Sequence, residues 1–294
     1  MPIDFSSHHD PLADDAALAA HIEAALASEL MPDHQLALMF KVLQKLFRPS
    51  VLHGERVPEQ PCLFIGNHSL FALDGWVFSP TIHNALGRMV RPLGDRFLWS
   101  NKTLGDALLR WGAVMGHPSV CDALMAEGHD LLVFPGGAHE AVKPASAMYE
   151  LQWKERYGFV RLAARHGYTI MPFGMVGPDE FYDHWIESDE LPGSALGRLL
   201  SRFGLLDANT RTDMLPPIPR GALGTLLPRP QRCYIGFGEA VDLSAYAGKT
   251  PTKAQQRKIR NQVAQQIEEQ LGELLRVREQ RRRDDSLLRR ILTI

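Results

Sequence analysis

Short apolar runs that alternate with helix-like segments constrain the fold of this 294-residue chain more than any other feature. Apolar runs between turn signals are typical of buried strands, and their alternation with helices favours a largely parallel sheet covered on both faces. We therefore expect an α/β fold with a largely parallel central sheet flanked by helices, and with N- and C-terminal helical additions. The pattern predicts strands at 62–66, 89–93, 112–115, 130–135, 169–176 and 232–238, and helices at 12–30, 34–48, 75–86, 95–110, 118–127, 145–166 and 252–278.

The same pattern divides the chain into three regions. Residues 1–50 hold the first helices, 51–248 form the central domain, and 249–294 hold the last helices with a basic tail. A Pro/Gly-rich and apolar segment between 186 and 230 is long for a loop. It is predicted either to shape a pocket or to wrap the core.

Composition excludes several classes of protein. No run approaches the roughly 18 apolar residues of a membrane-spanning helix, and the first residues are acidic, unlike a signal peptide. Cys62, Cys121 and Cys233 have no metal-site spacing and form no disulfide framework, which points to a reducing, cytoplasmic location. The net charge of −2 argues against nucleic acid as a partner.

A histidine and an aspartate follow the first buried run. The sequence CLFIGNHSLFALDG, at 62–75, places Asn67 and His68 directly after a strand and Asp74 six residues beyond the histidine. Because residues six apart do not share a helix face, we expect His68 on a loop and Asp74 in the first helical turn. The pair could be a base and the carboxylate that orients it. The alternative is a histidine that only caps a helix.

A glycine turn follows the run at 130–134. Pro135, Gly136 and Gly137 lead into His139 and Glu140. Glycines admit positive φ and let backbone amides approach a ligand, which suits an oxyanion or phosphate site. A plain strand-to-helix turn would look similar.

Four blocks occur in a fixed order along the chain. They are Asn-His-x5-Asp at 67–74, Trp-Gly-Ala-Val at 111–114, Phe-Pro-Gly-Gly at 134–137 and Ile-Met-Pro-Phe at 170–173. Together they resemble the glycerolipid acyltransferase superfamily. The stretch 149–173, with its Trp-Lys-x-Arg-x-Gly-Phe-x-Arg run, resembles the branch that includes phytyl ester synthases and diacylglycerol acyltransferase-like proteins. The resemblance covers about residues 55–245.

The resemblance implies an O-acyltransferase that takes a fatty acyl group from an acyl thioester of coenzyme A or acyl carrier protein. A thioester is already activated, so a general base and oxyanion stabilisation suffice, with no protein nucleophile and no cofactor. His68 and Asp74 are the catalytic candidates. The predicted substrate-binding residues are Asn67, Gly136, Gly137, His139, Glu140, Lys154, Arg156 and Arg161. The last three, with Lys143, could meet phosphates of coenzyme A or acidic groups of the carrier protein.

The sequence departs from the superfamily pattern in two places, and the second departure bears on the acceptor. Five residues, instead of the usual four, separate His68 from Asp74. The third block usually has Glu after Pro and a Thr-Arg pair that reads a phosphate; here Gly136, Ala138 and His139 stand in those places. We therefore expect a neutral acceptor such as diacylglycerol or a long-chain alcohol. Acylation of a lysophospholipid or glycerol 3-phosphate is the alternative, and a non-catalytic lipid-binding protein is the alternative from another class.

Two segments predict peripheral attachment to the inner face of a membrane. The tail from Arg276 holds seven arginines and ends in apolar residues, among them Leu288 and Leu292. It could be a basic amphipathic helix on anionic lipid or an ordinary solvated helix end. In 34–47 an apolar stripe that includes Phe40 and Phe47 could face lipid or pack on the core.

Overall fold

The computed structural model describes residues 11–186, 190, 194 and 217–293. The helices are α1 Asp15–Ala27, α2 Asp33–Leu46, α3 Leu73–Leu86, α4 Lys102–Arg110, α5 Pro118–Ala126, α6 Gly137–Ala141, α7 Gly158–His166, α8 Lys253–Arg281 and α9 Leu287–Leu292. The strands are β1 Ser50–Leu52, β2 Cys62–Gly66, β3 Val90–Gly94, β4 Val114–Met115, β5 Asp130–Val133, β6 Thr169–Val176, β7 Asp183–Ile186, β8 Ile218–Arg220, β9 Tyr234–Phe237 and β10 Val241–Asp242.

The central sheet has the strand order β1-β9-β6-β2-β5-β3-β4. Neighbours from β6 to β4 are all parallel, as predicted from the alternation of strands and helices. Every residue of β2 and β6 is buried, because helices cover both faces. The α/β fold with a largely parallel sheet is therefore confirmed. The antiparallel pair of β7 and β8 lies outside this sheet.

The last two strands of the sheet, β9 and β10, pair antiparallel with β6. β9 pairs with Phe173–Val176 of β6, and β10 pairs with Thr169 and Ile170. Between their paired residues, β9 and β10 are separated by three residues, 238–240, whereas β6 has only two, Met171 and Pro172. The segment opposite β6 therefore has one extra residue. Because Pro172 has no N–H to donate, the pairing is interrupted there, as at a β-bulge.

Two apolar clusters fill the two faces of the sheet. One contains α3 side chains such as Val77 and Phe78, together with Phe47 at the end of α2. The other contains side chains of α1, α5, α7 and α8, such as Val120 and Val160. Along α8 the buried apolar side chains recur every three or four residues, at Ile259, Val263, Ile267, Leu271 and Leu274.

The predicted helix at 145–166 is wrong over its first half. A short 3-10 turn at Ala145–Ala147 is followed by irregular backbone, and α7 begins only at Gly158. Tyr149 and Lys154 have φ of 65° and 49°, which a right-handed helix does not allow. The predicted helix at 95–110 is also divided, because the Asn101 side chain caps α4 by accepting from the Leu104 amide.

Several elements were not predicted from the sequence. They are the short strands β1, β7, β8 and β10 and the five-residue helix α6. Most of the Pro/Gly-rich segment between 186 and 230 lies outside the described residues, so its predicted place in a pocket stays a prediction. Among the helices of the described residues, none is long and apolar enough to cross a membrane.

Candidate active site

His68 lies on the loop between β2 and α3, beside the carboxylate of Asp74. Its Nδ1 is 2.8 Å from Asp74 Oδ2, and both side chains are almost fully buried. Asp74 is the second residue of α3, the position expected from the sequence. Between them Phe71 and Ala72 both adopt left-handed φ, in a tight 3-10 turn. This turn takes up the extra residue of the His-x5-Asp spacing and returns the chain toward His68.

Among the residues that the structure describes, the one side-chain hydrogen bond of His68 is that of Nδ1, so the second ring nitrogen, Nε2, is left without a partner there. Because Asp74 accepts from Nδ1–H, the geometry favours the tautomer with a lone pair on Nε2. Burial lowers the pKa of His68, but the charge and hydrogen bond of Asp74 and the charge of Glu140 outweigh it, so the net pKa is raised. The ring stacks on Phe134 at 4.3 Å with an interplanar angle of 7°.

The backbone of His68 is held by two charged side chains that follow the glycine turn. The His68 amide donates to Glu140 Oε1 at 3.0 Å, and Lys143 Nζ donates to the His68 carbonyl at 2.8 Å. Burial raises the pKa of the Glu140 carboxyl to about 7, although the His68 amide and Lys143 act in the opposite direction. Glu140 Oε2 is buried and has no hydrogen-bond partner in the described part of the chain.

The glycine turn requires its glycines. A Cβ on Gly136 would lie 1.9 Å from Glu140 Oε2, so a side chain there would displace the carboxylate that holds His68. Gly137 has a φ of +54°. Arg156 Nη1 donates to the carbonyls of Pro135 at 2.9 Å and Gly136 at 2.6 Å and so fixes the turn from outside.

A chain of buried and half-buried polar groups extends from His68 to the C-terminal helix α8. Lys143, which donates to the His68 carbonyl, also forms an ion pair with Asp179 at 2.9 Å. Asp179 accepts from the Tyr149 amide at 2.8 Å, and the Tyr149 hydroxyl donates to Glu180 at 2.7 Å. Glu180 in turn pairs with Arg278 of α8.

Most of this series of polar contacts could not be predicted from the sequence. The sequence predicted that Lys143 could meet the phosphates of coenzyme A. It gave no role to Asp179, Glu180 or Arg278. The one available signal was an acidic pair, Asp179-Glu180, directly after the apolar run of β6. Their partners lie far away along the chain and could not be read from it.

The remaining predicted site residues lie in three places. Asn67 joins the loop to β6, because its side chain donates to the Met175 carbonyl at 3.0 Å and accepts from the Met175 amide at 2.8 Å. His139 is half-buried on α6. Lys154 and Arg161 lie against α8, where the Lys154 carbonyl accepts from Arg260 and Arg161 reaches Gln256. The structure thus brings Arg156 to the glycine turn and the other two to a helix surface.

Comparison with known proteins agrees with the sequence resemblance. The family model "Diacylglycerol acyltransferase" matches residues 114–205, which include the glycine turn, Glu140 and Lys143 but not His68. Phytyl ester synthase 1, chloroplastic, of Arabidopsis thaliana is 27% identical over 240 residues, 76% of this chain. The chain is therefore similar in sequence to glycerolipid acyltransferases. The match covers only 34% of the phytyl ester synthase, so this acyltransferase-like chain corresponds to about a third of that relative.

Two further similarities concern a mammalian enzyme and a solved structure. The "DGAT1/2-independent enzyme synthesizing storage lipids" of Mus musculus is 30% identical over 178 residues, which are 57% of this chain and 52% of the mouse protein. The crystal structure of the 1-acyl-sn-glycerophosphate acyltransferase PlsC of Thermotoga maritima aligns with 85% of this chain and 87% of its own, at 13% identity and a TM-score of 0.45.

Proposed function

We propose that this chain transfers a fatty acyl group from an acyl thioester to the hydroxyl of a neutral lipid acceptor. The observation that carries the proposal is the His68–Asp74 pair, with 2.8 Å between Nδ1 and Oδ2 and with no hydrogen bond to Nε2 from the described residues. In such a pair the carboxylate fixes the tautomer and stabilises the imidazolium that forms when the histidine takes a proton. His68 is therefore the proposed general base.

The proposed reaction needs one proton transfer in each direction. His68 Nε2 takes the acceptor's hydroxyl proton as that oxygen attacks the thioester carbonyl carbon. The tetrahedral intermediate then expels the thiolate, and the imidazolium returns the proton to sulfur. The products are an ester and a free thiol, and His68 is neutral again. General-base assistance of this kind contributes about 10²–10⁴-fold.

The charges around the site favour an acceptor without a phosphate. Lys143 is committed to Asp179, and Arg156 donates to two carbonyls of the turn. Glu140 adds a buried carboxyl beside His68. His139 occupies the place where phosphate-reading relatives have arginine. The proposed acceptor is therefore diacylglycerol or a long-chain alcohol, and the donor is a thioester of coenzyme A or acyl carrier protein.

Acceptor profiling with labelled acyl thioesters tests the proposal. The purified chain would receive labelled acyl-CoA or acyl carrier protein with diacylglycerol, phytol, glycerol 3-phosphate or lysophosphatidate. We expect neutral ester as the main product. A clear preference for either phosphorylated acceptor would reject the neutral acceptor, and lipid binding without transfer in any arm would indicate a lipid-binding protein.

A second pair of the same residue types supplies the control for the base. His68→Ala should lower transfer by about 10²–10⁴-fold. His166 and Asp122 also lie 2.8 Å apart, but on α7 and α5, away from the β2–α3 loop. His166→Ala should therefore leave transfer within about twofold of wild type. Wild-type turnover by folded His68→Ala protein would remove His68 from the mechanism.

We also propose that the chain works at the inner face of a membrane, because its proposed acceptors are lipids. The expected contact through Phe47 is wrong, since that ring is buried and stacked on Phe181 at 4.4 Å. Exposed apolar residues on α2 are instead Leu38, Val42 and Leu46, at four-residue spacing. These three form a stripe that remains available to lipid.

A further inference from the structure

A cavity of about 1070 Å³ lies between α8, α9 and the segment before β9. Seven arginines and three carboxylates line it, so its walls carry a positive charge. Arg278 pairs with Glu180 and Arg232 pairs with Asp285. Arg276, Arg283 and Arg290 have no acidic partner among the residues that the structure describes.

The field inside the cavity is positive. Burial lowers the pKa of the Arg289 guanidinium, and the positive charges of Arg48 and Arg232 lower it further against the opposing effect of Asp285. Like charges held together in this way are stabilised by an anion between them. The cavity therefore has the electrostatic properties of an anion site.

The short helix α9 has one cationic and one apolar side. At 100° per residue Leu287, Leu288 and Ile291 fall on one arc, and they are 76%, 66% and 58% exposed. Arg289 and Arg290 fall on the opposite arc and line the cavity. An anion with apolar chains attached would match both sides at once.

The buried Arg289 also joins this helix to the apolar stripe of α2. Its Nη1 donates to the Leu46 carbonyl at 2.8 Å and its Nη2 to the Lys45 carbonyl at 3.2 Å. The exposed apolar residues of α9 and α2 are far apart in sequence but therefore lie near each other on the protein surface. A membrane surface is the partner that offers both phosphate groups and hydrocarbon to such a region.

We propose that the arginine cavity binds the phosphate of an anionic phospholipid headgroup while the exposed residues of α9 enter the acyl region. The proposal rests on the proposed function only in that a lipid substrate brings the protein to a membrane. It adds a second lipid site, distinct from the acceptor site at His68.

Vesicle binding tests this site without any use of acyl transfer. The probes are vesicles of phosphatidylcholine alone and with roughly 30 mol% phosphatidylglycerol. The variant Arg282→Gln/Arg283→Gln/Arg290→Gln changes exposed cavity residues and should lose about tenfold or more of its binding to the anionic vesicles. The matched control, Arg96→Gln/Arg110→Gln/Arg257→Gln, removes the same charge elsewhere on the surface and should change binding by about twofold or less.

The outcomes separate the sources of phosphate. Equal loss in both triple variants would mean that net charge alone drives binding and would overturn the proposal. Saturable binding of soluble coenzyme A that the cavity variant loses, with vesicle binding unchanged, would also overturn it in favour of the donor's phosphates. Circular dichroism establishes that both variants fold. If vesicle binding follows the prediction but wild type transfers no acyl group, the proposed function fails and the headgroup site stands.

Discussion

The Asp74 carboxylate accepts hydrogen bonds from two backbone amides as well as from His68. The Ser69 amide donates to Oδ2 at 2.6 Å and the Gly75 amide to Oδ1 at 2.7 Å. Its orientation is therefore set by the backbone before the histidine is considered. An amide in its place would fill the same volume but remove the charge that opposes the desolvation of His68.

Asp74→Asn is expected to change the pH dependence of transfer as well as its rate. As the proposed base, His68 would work in its neutral form. Its net pKa is raised above the ordinary value of 6.5, so activity should rise with pH through a midpoint above that value. Asn removes the largest cause that raises this pKa, so the midpoint should move to lower pH while kcat falls by at least about 10²-fold. An unchanged midpoint in pH–rate profiles would contradict this role, and Asp122→Asn is the control.

The raised pKa of the Glu140 carboxyl leads us to expect that stability depends on pH. Its pKa rises from 4.5 to about 7 on folding, so between these values the folded chain binds more protons than the unfolded chain. The free energy of unfolding should then fall as pH rises through this window, by up to about 3 kcal/mol. Glu140→Gln, which cannot ionise, should lack this decrease. Urea unfolding of both proteins from pH 5 to pH 8 measures it, and parallel curves would disprove the shifted carboxyl.

The residues near His68 could be predicted in part because the relevant information is local. His68 and Asp74 are only six residues apart in the sequence, and the glycines at 136–137 indicate a tight turn. Lys143 and Asp179 carry charged side chains, and the ordinary expectation for a charged side chain is that it is solvated. Their burial depends on α6 and the end of β6 meeting in space.

At the scale of elements, the ion pair of Lys143 and Asp179 joins the segment after α6 to the end of β6. Removal of one partner leaves a buried charge without compensation, which typically destabilises by about 3–5 kcal/mol. Lys143→Met should therefore lower the free energy of unfolding by that order, and Lys143→Met/Asp179→Asn should recover much of it. Denaturant titrations of wild type, both single variants and the double variant form the required cycle. Additive losses would show that the two residues are not coupled.

The packing of α8 on β6 depends on a glycine. A Cβ on Gly174 would lie 3.0 Å from both Gln270 Cβ and the Leu271 amide nitrogen. Gly174→Ala should therefore destabilise by about 1–3 kcal/mol. Gly272 lies on the exposed side of α8, where an added Cβ would meet nothing within 4 Å, so Gly272→Ala should instead stabilise by up to about 1 kcal/mol. Thermal unfolding of the two variants compares them directly, and a stabilised Gly174→Ala would show that the helix can move away.

The local sequence pattern predicts the wrong secondary structure where backbone groups form hydrogen bonds with distant residues. The segment 145–157 reads as helical, yet the Tyr149 amide donates to Asp179 and the Lys154 carbonyl accepts from Arg260 of α8. These tertiary contacts replace the helical hydrogen bonds that the local sequence would form. By contrast, β2, β6 and α8 were predicted within a few residues, because a long apolar run or a regular stripe specifies each of them.

For the whole molecule, the parallel sheet and the order of its helices were predictable from the sequence. The pairing of β9 between β1 and β6 was not. The run at 232–238 predicts a strand without indicating its direction. Its place between β1 and β6, antiparallel to β6, follows from tertiary packing that includes the bulge opposite Pro172. The neighbourhood of α2 and α9 is another such case, since only the fold brings Arg289 to the end of α2.

The position of β9 has a consequence for synthesis on the ribosome. β1 is made early but pairs with β9, more than 180 residues later in the chain. At roughly 5–20 residues per second, β1 waits about 10–40 s for its neighbour to emerge. Until then one edge of β6 also stays open, and open edges invite pairing with other nascent chains. The late synthesis of β9, rather than that of the early loop with His68, thus sets the time at which the sheet is completed.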